Sequence, residues 1–467
     1  MEKENVITKT QRIKINSLEF PTQDWDEFGK IFEILQKETI LASNKIISAC
    51  NVYNALGKEN GGKWLFDTYG TDKIRSATYQ AAKKSCKFYY SGSFNMISDY
   101  IYKNYFSGKN SWKKKIDAGD GNPPMTYTDT IPLFVRGDQT KVECLNYERG
   151  FYSFQSSFLS PIAKKEGFDY VTYEYDENNK KKKKKHHIDV NETRLKFRFN
   201  VKKNGRLEEL INNFMKEGSE YKFGDSQLLR KKNKKTKRWD YWFMLAYSCP
   251  KKDPGKKLDE NRVMGVDVGV IVPAYASIND MTYKKIPVGD NTIHKQKILD
   301  EKLRAEKQSA ITYNLRDGHG RKTKLDGFDG AGHKSRNRQK TKNQVWAKKI
   351  VQEAIKYGCG NIYMEDLKGL KQQEKENRYL QNWDYFGLQT EIENHAHEYG
   401  IVTAKVNRFG TSQKCPCCGL RDKKNRPKGK MGQAYFKCIQ CGYEDNADHV
   451  AAINISRSNP IKDSIKR

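Results

Sequence analysis

The sequence predicts an α/β domain joined to separate helical and β-rich modules, and three observations carry that expectation. From residue 6 to 258 the hydrophobic period switches from two to 3.6 and back to two. Beyond residue 259, two short apolar strands that each end in carboxylates flank a helix, the alternation of an α/β unit. Four cysteines in two Cys-x2-Cys pairs then mark a small inserted module.

The elements follow in order. Residues 6–16 alternate as a strand, with Ile13 and Ile15 on one face. Phe28, Ile31, Phe32 and Leu35 fall at i, i+3, i+4, i+7, as do Ile46, Ala49, Cys50 and Tyr53, which predicts amphipathic helices. Asp24 with Glu27 three residues on reads as the capping box of the first. Helical character continues from Ala77 to Tyr105, until Gly119, Gly121, Asn122, Pro123 and Pro124 break it. Strands return at Ile131–Val135, at Leu195–Val201 with basic residues on its outer face, and at Trp239–Cys249. The β-rich module is therefore expected to span 125–258 and to join the N-terminal strand in space.

Composition bounds the function. The chain has 467 residues, room for two to four domains at ~100–200 residues each. With 36% hydrophobic and 12% aromatic residues it can build cores. Its 87 Lys plus Arg against 57 Asp plus Glu leave a charge of +30, which asks for a polyanion and points to nucleic acid. No apolar run reaches the ~20 residues of a membrane span, so no membrane partner is expected. The N-terminus MEKENVITKT lacks a signal peptide's apolar segment, which predicts a cytoplasmic protein in a reducing compartment. Ten cysteines are then no disulfide framework, and the five between Cys415 and Cys441 suggest metal.

Three basic segments are candidate nucleic-acid surfaces. Lys180–Lys185, followed by His186 and His187, reads as a solvated loop. The run Arg230, Lys231, Lys232, Lys234, Lys235, Lys237 and Arg238 abuts the aromatic strand from Trp239 and can pair phosphate neutralisation with base stacking. The Gly-rich stretch from Asn314 to Lys342, with Arg321, Lys322, Arg336 and Arg338, reads as a loop or an arm lying along phosphates.

Three acidic positions carry the chemistry. Asp267 sits in the apolar strand Val263–Val270, where an ionised carboxylate is costly without a cation. Gly269 beside it would let backbone or substrate approach. Glu365 ends Asn361–Leu367 after a helix at Val345–Tyr357, with Asp366 at the strand exit. Asp448 opens a short helix in Asn446–Ile455, where an ordinary N-cap is the competing explanation. Three such carboxylates can converge on a pair of hard cations, Mg²⁺ or Mn²⁺, ~4 Å apart, for in-line hydrolysis of a phosphodiester.

The metal motif is sharper. Cys415, Cys418, Cys438 and Cys441 give C-x2-C, nineteen residues, then C-x2-C, the spacing of a zinc ribbon holding one structural Zn²⁺. A glycine after each pair lets the knuckle turn, and Cys417 is the odd thiol. The intervening loop is basic, Lys423 and Arg426 included, and can track a phosphate backbone.

The ordered set GVDVG, YMEDL, four-cysteine ribbon, ADHVAAINI resembles the RuvC-type nucleases of the miniature type V-F CRISPR effectors and their transposon-encoded TnpB relatives. ITKTQRIKI, IPLFVR and NWDYFGLQTEIENHAHEYGIVTAKV extend the likeness upstream, and the helical insertion and the NIS…NP tail favour type V-F. The resemblance implies a RuvC (RNase H-like) domain at 259–405 and 446–467, with the zinc ribbon inserted at 406–445 to bind target nucleic acid. It implies a β-barrel-like wedge domain at 1–22 and 125–258, interrupted by a helical recognition domain at 23–124. Asp267, Glu365 and Asp448 become the catalytic carboxylates for two Mg²⁺, and the four cysteines the zinc ligands. The implied partners are guide RNA, target double-stranded DNA beside a short T-rich motif, and a second copy of the chain in a bacterial or archaeal cytoplasm. The implied activity is RNA-guided DNA cleavage. The alternatives are a TnpB-type transposon nuclease and a guided DNA-binding protein with impaired cleavage. One departure bears on the last: Val450 stands where the family has Asn, which leaves Asp445 as a fallback third ligand.

Overall fold

The computed structural model describes the chain apart from residues 1–4, 109–110, 120–130, 176–180, 203, 234–235, 270–271, 313–320, 369–383, 428–433 and 467. Two compact units result, Thr8–Pro250 and Met1–Ile7 with Lys251–Arg467. Among the described residues no helix is long and apolar enough to cross a membrane.

The first unit begins with β1 (Val6–Lys14), whose first two residues belong to the second unit, and β2 (Ser17–Phe20). Helices α1 (Trp25–Tyr69), α2 (Ile74–Lys83), α3 (Gly92–Phe106) and α4 (Trp112–Asp117) follow. Asp24 caps α1 by accepting from the Asp26 and Glu27 amides, while Glu27 accepts from the Thr22 hydroxyl at 2.5 Å rather than closing the box on Asp24. Phe28, Ile31, Phe32 and Leu35 are buried as the period requires. The helical stretch to Tyr105 is interrupted at 84–91, because Tyr89 instead bridges to Leu159 and bonds the Phe134 backbone.

The strands are β3 (Leu133–Val135), β4 (Lys141–Asn146), β5 (Phe151–Ser157), β6 (Phe168–Tyr175), β7 (Lys181–Ile188), β8 (Arg194–Asn200), β9 (Lys222–Phe223), β10 (Ser226–Lys232) and β11 (Trp239–Pro250). Helices α5 (Pro161–Glu166) and α6 (Gly205–Met215) lie between them. One sheet runs β1-β11-β10-β3 with β9 on β11, and the other β2-β8-β5-β4. Their apolar faces meet through Phe154, whose ring lies 4.3 Å from that of Phe243 and 5.1 Å from that of Phe197. On β8, Leu195, Phe197 and Phe199 point in, while Lys196 and Arg198 point out to Glu19.

The lysine run corrects the loop expectation. Residues 181–188 form β7, paired antiparallel with β6 over eight positions. Cross-strand partners outweigh the repulsion: His186 stacks on Tyr170 at 4.8 Å, and His187 pairs with Asp169 at 2.7 Å. Lys180 lies outside the described residues.

The second unit holds β12 (Asp259–Asp267), β13 (Ala274–Ile278), β14 (Met281–Val288), α7 (Thr292–Thr312), α8 (Arg321–Tyr357) and β15 (Cys359–Glu365). After these come α9 (Tyr385–Glu398), β16 (Val402–Val406), β17 (Tyr435–Lys437), β18 (Glu444–Asn446) and α10 (Ala447–Ser456). The central sheet runs β14-β13-β12-β15-β16; β12, β13 and β14 are antiparallel, while β15 and β16 run parallel to β12. Met264, Val266, Ile362 and Met364 share a core with Trp346, Ile350, Leu388 and Ile392 of α8 and α9.

Helix α8 corrects a second expectation. Residues 321–342 are helical and continuous with the segment from Val345, rather than a Gly-rich loop; the expected residues 314–320 lie outside the described residues. An Arg338–Asp300 ion pair at 3.0 Å ties this extension to α7.

Candidate active site and zinc centre

Alternation along β12 and β15 decides where the carboxylates go. Met264 and Val266 face α8 and α9, so Gly265 and Asp267 face the other side; Ile362 and Met364 likewise leave Tyr363 and Glu365 there. Val266 is in register with Met364, which sets Asp267 beside Glu365 at the C-terminal ends of two adjacent parallel strands. That edge is where open α/β sheets hold their ligands.

Helix α10 covers the same face. A Cβ on Gly265 would collide with the carbonyl oxygen of Ala452 and the amide nitrogen of Ser456, so glycine there lets α10 lie directly on β12. Asn446, not Asp448, is the N-cap: its side chain accepts from the Asp448 and His449 amides at 2.8 and 3.3 Å. The capping explanation for Asp448 therefore fails, and its carboxyl is left to the site. Gly269 has a nearer use than substrate approach, since a Cβ there would meet the Val272 carbonyl.

Asp267 senses the other two carboxylates. Burial, then the charges of Glu365 and Asp448, push the Asp267 carboxyl well above the usual carboxylate range. Burial also raises Glu365 and Asp448, against the opposing pull of a Thr411 hydrogen bond and Arg408 on the first and Arg426 on the second. Such a site favours a cation or a proton.

Sequence reasoning missed Thr411 and Arg408. Thr411 donates its hydroxyl to Glu365 and is buried, which fixes that carboxylate's orientation. Buried Asn454 of α10 holds the same loop, donating to the Thr411 and Lys414 carbonyls, each at 2.7 Å. No local pattern announces these contacts; the fold brings the loop after β16 to the strand ends.

Asp445 is already engaged. Although burial pushes its carboxyl up, Lys285, Tyr443 and His449 together draw it down to about 2. They stand 2.5, 2.8 and 2.7 Å away. Val450 is fully buried against Phe436, Ala447, Cys415 and Cys438, so the apolar residue serves packing between α10 and the cysteine module.

The cysteines converge. Their four sulfurs lie within 4.8 Å of one another, with Cys415–Cys441 and Cys418–Cys438 each at 3.5 Å. Gly419 and Gly442 adopt φ of 79° and 71°, the left-handed turn each knuckle needs. Backbone amides of Cys441 and Gln440 draw the Cys438 thiol down, while burial raises that of Cys415 and the neighbouring sulfurs raise that of Cys418. Cys417 is exposed and outside the cluster. Among the described residues this is the one group of three or more metal-ligating side chains so closely gathered; Asp267, Glu365 and Asp448 do not form such a group.

The basic candidates divide. Lys231, Lys232, Lys237 and Arg238 are exposed, and Lys234 and Lys235 lie outside the described residues. Arg230 is only 13% exposed; it bonds Glu33 at 3.3 Å and sits over the Phe32 and Trp239 rings, tying β10 to α1. Arg321 and Lys322 open α8, but their side chains lie outside the described residues. Arg336 is exposed, whereas Arg338 is paired with Asp300. Lys423 is exposed, and the Arg426 charge opposes the upward push of burial on both Asp267 and Asp448.

Comparison with known proteins gives the family. Residues 385–455 match the Cas12f1-like TNB domain. The chain is 30% identical over 444 residues to the CRISPR-associated endodeoxyribonuclease Cas12f1 of Sulfoacidibacillus thermotolerans, covering 93% of this chain and 94% of that protein. It is 32% identical over 118 residues to the TnpB-like protein MJ0751 of Methanocaldococcus jannaschii, covering 24% of this chain and 40% of that one. In fold it is similar to the protein in a cryo-EM structure of a Cas12f1–sgRNA–target DNA complex. The TM-score is 0.69 at 21% identity, over 97% of this chain and 99% of that one. The chain belongs to the Cas12f1 family of CRISPR-associated endodeoxyribonucleases.

Proposed function

We propose that this chain is an RNA-guided DNA endonuclease that cleaves guide-matched double-stranded DNA beside a short T-rich motif. The observation that carries the reading is the register that sets Asp267 beside Glu365, on the sheet face covered by α10 with Asp448. An all-oxygen, mutually repelling donor set suits hard divalent cations, so these three residues would hold Mg²⁺ or Mn²⁺. Bound there, a pair of ions supplies water activation and charge stabilisation for phosphodiester hydrolysis. The chain's own contribution is positioning. Thr411 orients Glu365, Asn454 steadies the loop that carries Thr411, and the Arg426 guanidinium offsets negative charge where phosphate would enter. Four sulfurs at ribbon spacing suit one structural Zn²⁺.

Residues 259–405 and 446–467 form the RuvC-type domain in this reading, with the ribbon at 406–445. Residues 1–22 and 125–258 form a wedge domain and 23–124 the recognition domain. The exposed cations Lys231, Lys232, Lys237 and Arg238 contact guide RNA or heteroduplex, and Lys423 and Arg336 contact DNA. Two copies share one guide, since 467 residues are few to hold guide, target and nuclease. Similarity to a TnpB-like protein keeps one other reading open, the same chemistry with a transposon-derived RNA. Sequencing the RNA that copurifies with the protein separates the two. A repeat–spacer guide is expected, and a transposon-end transcript would overturn the CRISPR assignment. The mass of that complex counts the protein copies.

A further inference from the structure

The loop between β16 and Cys415 carries an exposed aromatic ring that the fold does not use. Phe409 is 74% exposed. An exposed aromatic on a floppy loop would mean little, but this backbone is fixed. The Phe409 amide donates to the Asn407 side chain at 2.9 Å, and Gln413 and Lys414 donate to the Gly410 carbonyl at 3.0 Å. Asn454 of α10 holds the following turn through two carbonyls.

One side of the ring is dressed. The Arg421 guanidinium carbon lies 3.8 Å from its centroid. Gly410, at φ 79°, makes room for this, because a Cβ there would run into the Arg421 side chain. Two residues of the same loop act on Glu365: Thr411 hydrogen-bonds it, and the Arg408 charge opposes the upward push of burial on its carboxyl. A rigid aromatic platform backed by a cation thus stands within two residues of groups that touch the acidic site.

We propose that Phe409 and Arg421 form a nucleobase-stacking subsite for single-stranded DNA, holding a base next to the phosphate to be cut. Stacking on an aromatic face tolerates any base, as a nuclease directed by a guide requires. The adjacent cation suits the neighbouring phosphate. This inference rests on the guided-nuclease reading, so the test separates the two.

Ribonucleoprotein assembled from the full chain and its copurified RNA is given guide-matched single-stranded DNA with Mg²⁺. Phe409→Ala is expected to lower kcat/KM by about 5- to 100-fold, chiefly through KM, with Phe409→Trp restoring it. Guide binding and zinc content stay at wild-type values. A substrate made abasic at successive positions flanking the mapped cut should lose a similar factor with wild type at one position, and lose nothing further with Phe409→Ala. Wild-type rates in Phe409→Ala, or an abasic penalty that persists undiminished in it, would overturn the subsite while leaving the nuclease intact. No cleavage by wild type would overturn both.

Discussion

Asp448 and Asp445 lie three residues apart and have opposite fates. Asp445 is satisfied by a lysine, a tyrosine and a histidine, and is held ionised by them. Asp448 meets burial with Arg426 as its opposing influence, and it raises Asp267 in turn. The two carboxylates should therefore fail differently when replaced. Asp448→Asn should cut cleavage by at least about a hundredfold, as loss of a group acting in the transition state does, with folding and guide binding intact. Asp445→Asn should lower thermal stability, because it leaves buried His449 without its carboxylate partner. Equal loss of cleavage at unchanged stability in both variants would count against this assignment. The placement of Asp267 and Glu365 at strand ends was legible in the sequence, since a lone carboxylate in a short apolar strand has few structural uses. Asp448 was legible only through the motif, because one Asn two residues earlier decides whether it caps the helix. Thr411 and Arg408 were not legible, as nothing local ties the loop after β16 to a carboxylate 46 residues upstream of Thr411.

Among the elements, α10 is the one on which the site turns. It lies on β12 with no side chain between them at Gly265, and the three nearest atoms a methyl group would meet all belong to the backbone. Gly265→Ala must therefore displace α10 and Asp448 with it. Overpacking of this kind costs about 1–3 kcal/mol. Cleavage is expected to fall by roughly a hundredfold, and wild-type activity with unchanged melting would contradict the packing. The ribbon gives a second test. Metal analysis should find one zinc per chain; Cys415→Ser should lose it and unfold the module, whereas Cys417→Ala should keep it. Helix and strand types were readable from period where one face is buried, as in Phe28–Leu35 and Leu195–Phe199. They failed at Lys181–Lys185 and at 321–342, where composition argued for loops. The β7 lysines are held by a partner strand, and the start of α8 extends a helix already nucleated on the core by Trp346 and Ile350.

For the whole molecule, the +30 charge is shared between two units rather than concentrated on one arm. Some of those cations are spent on folding: Arg230 on Glu33, Arg338 on Asp300, and Lys285 on Asp445. Net charge alone therefore overstates the cations available for nucleic acid. The central claim is that this polyanion directs a nuclease whose chemistry depends on Asp267, Glu365 and Asp448. The most direct measurement is cleavage of a plasmid carrying the guide-matched sequence, by protein assembled with its own RNA in Mg²⁺. Wild type should linearise it, while Asp267→Asn and Glu365→Gln bind the RNA equally well and leave the plasmid intact. Linearisation by either variant at the wild-type rate, or no cleavage by wild type with its RNA bound, would contradict the account.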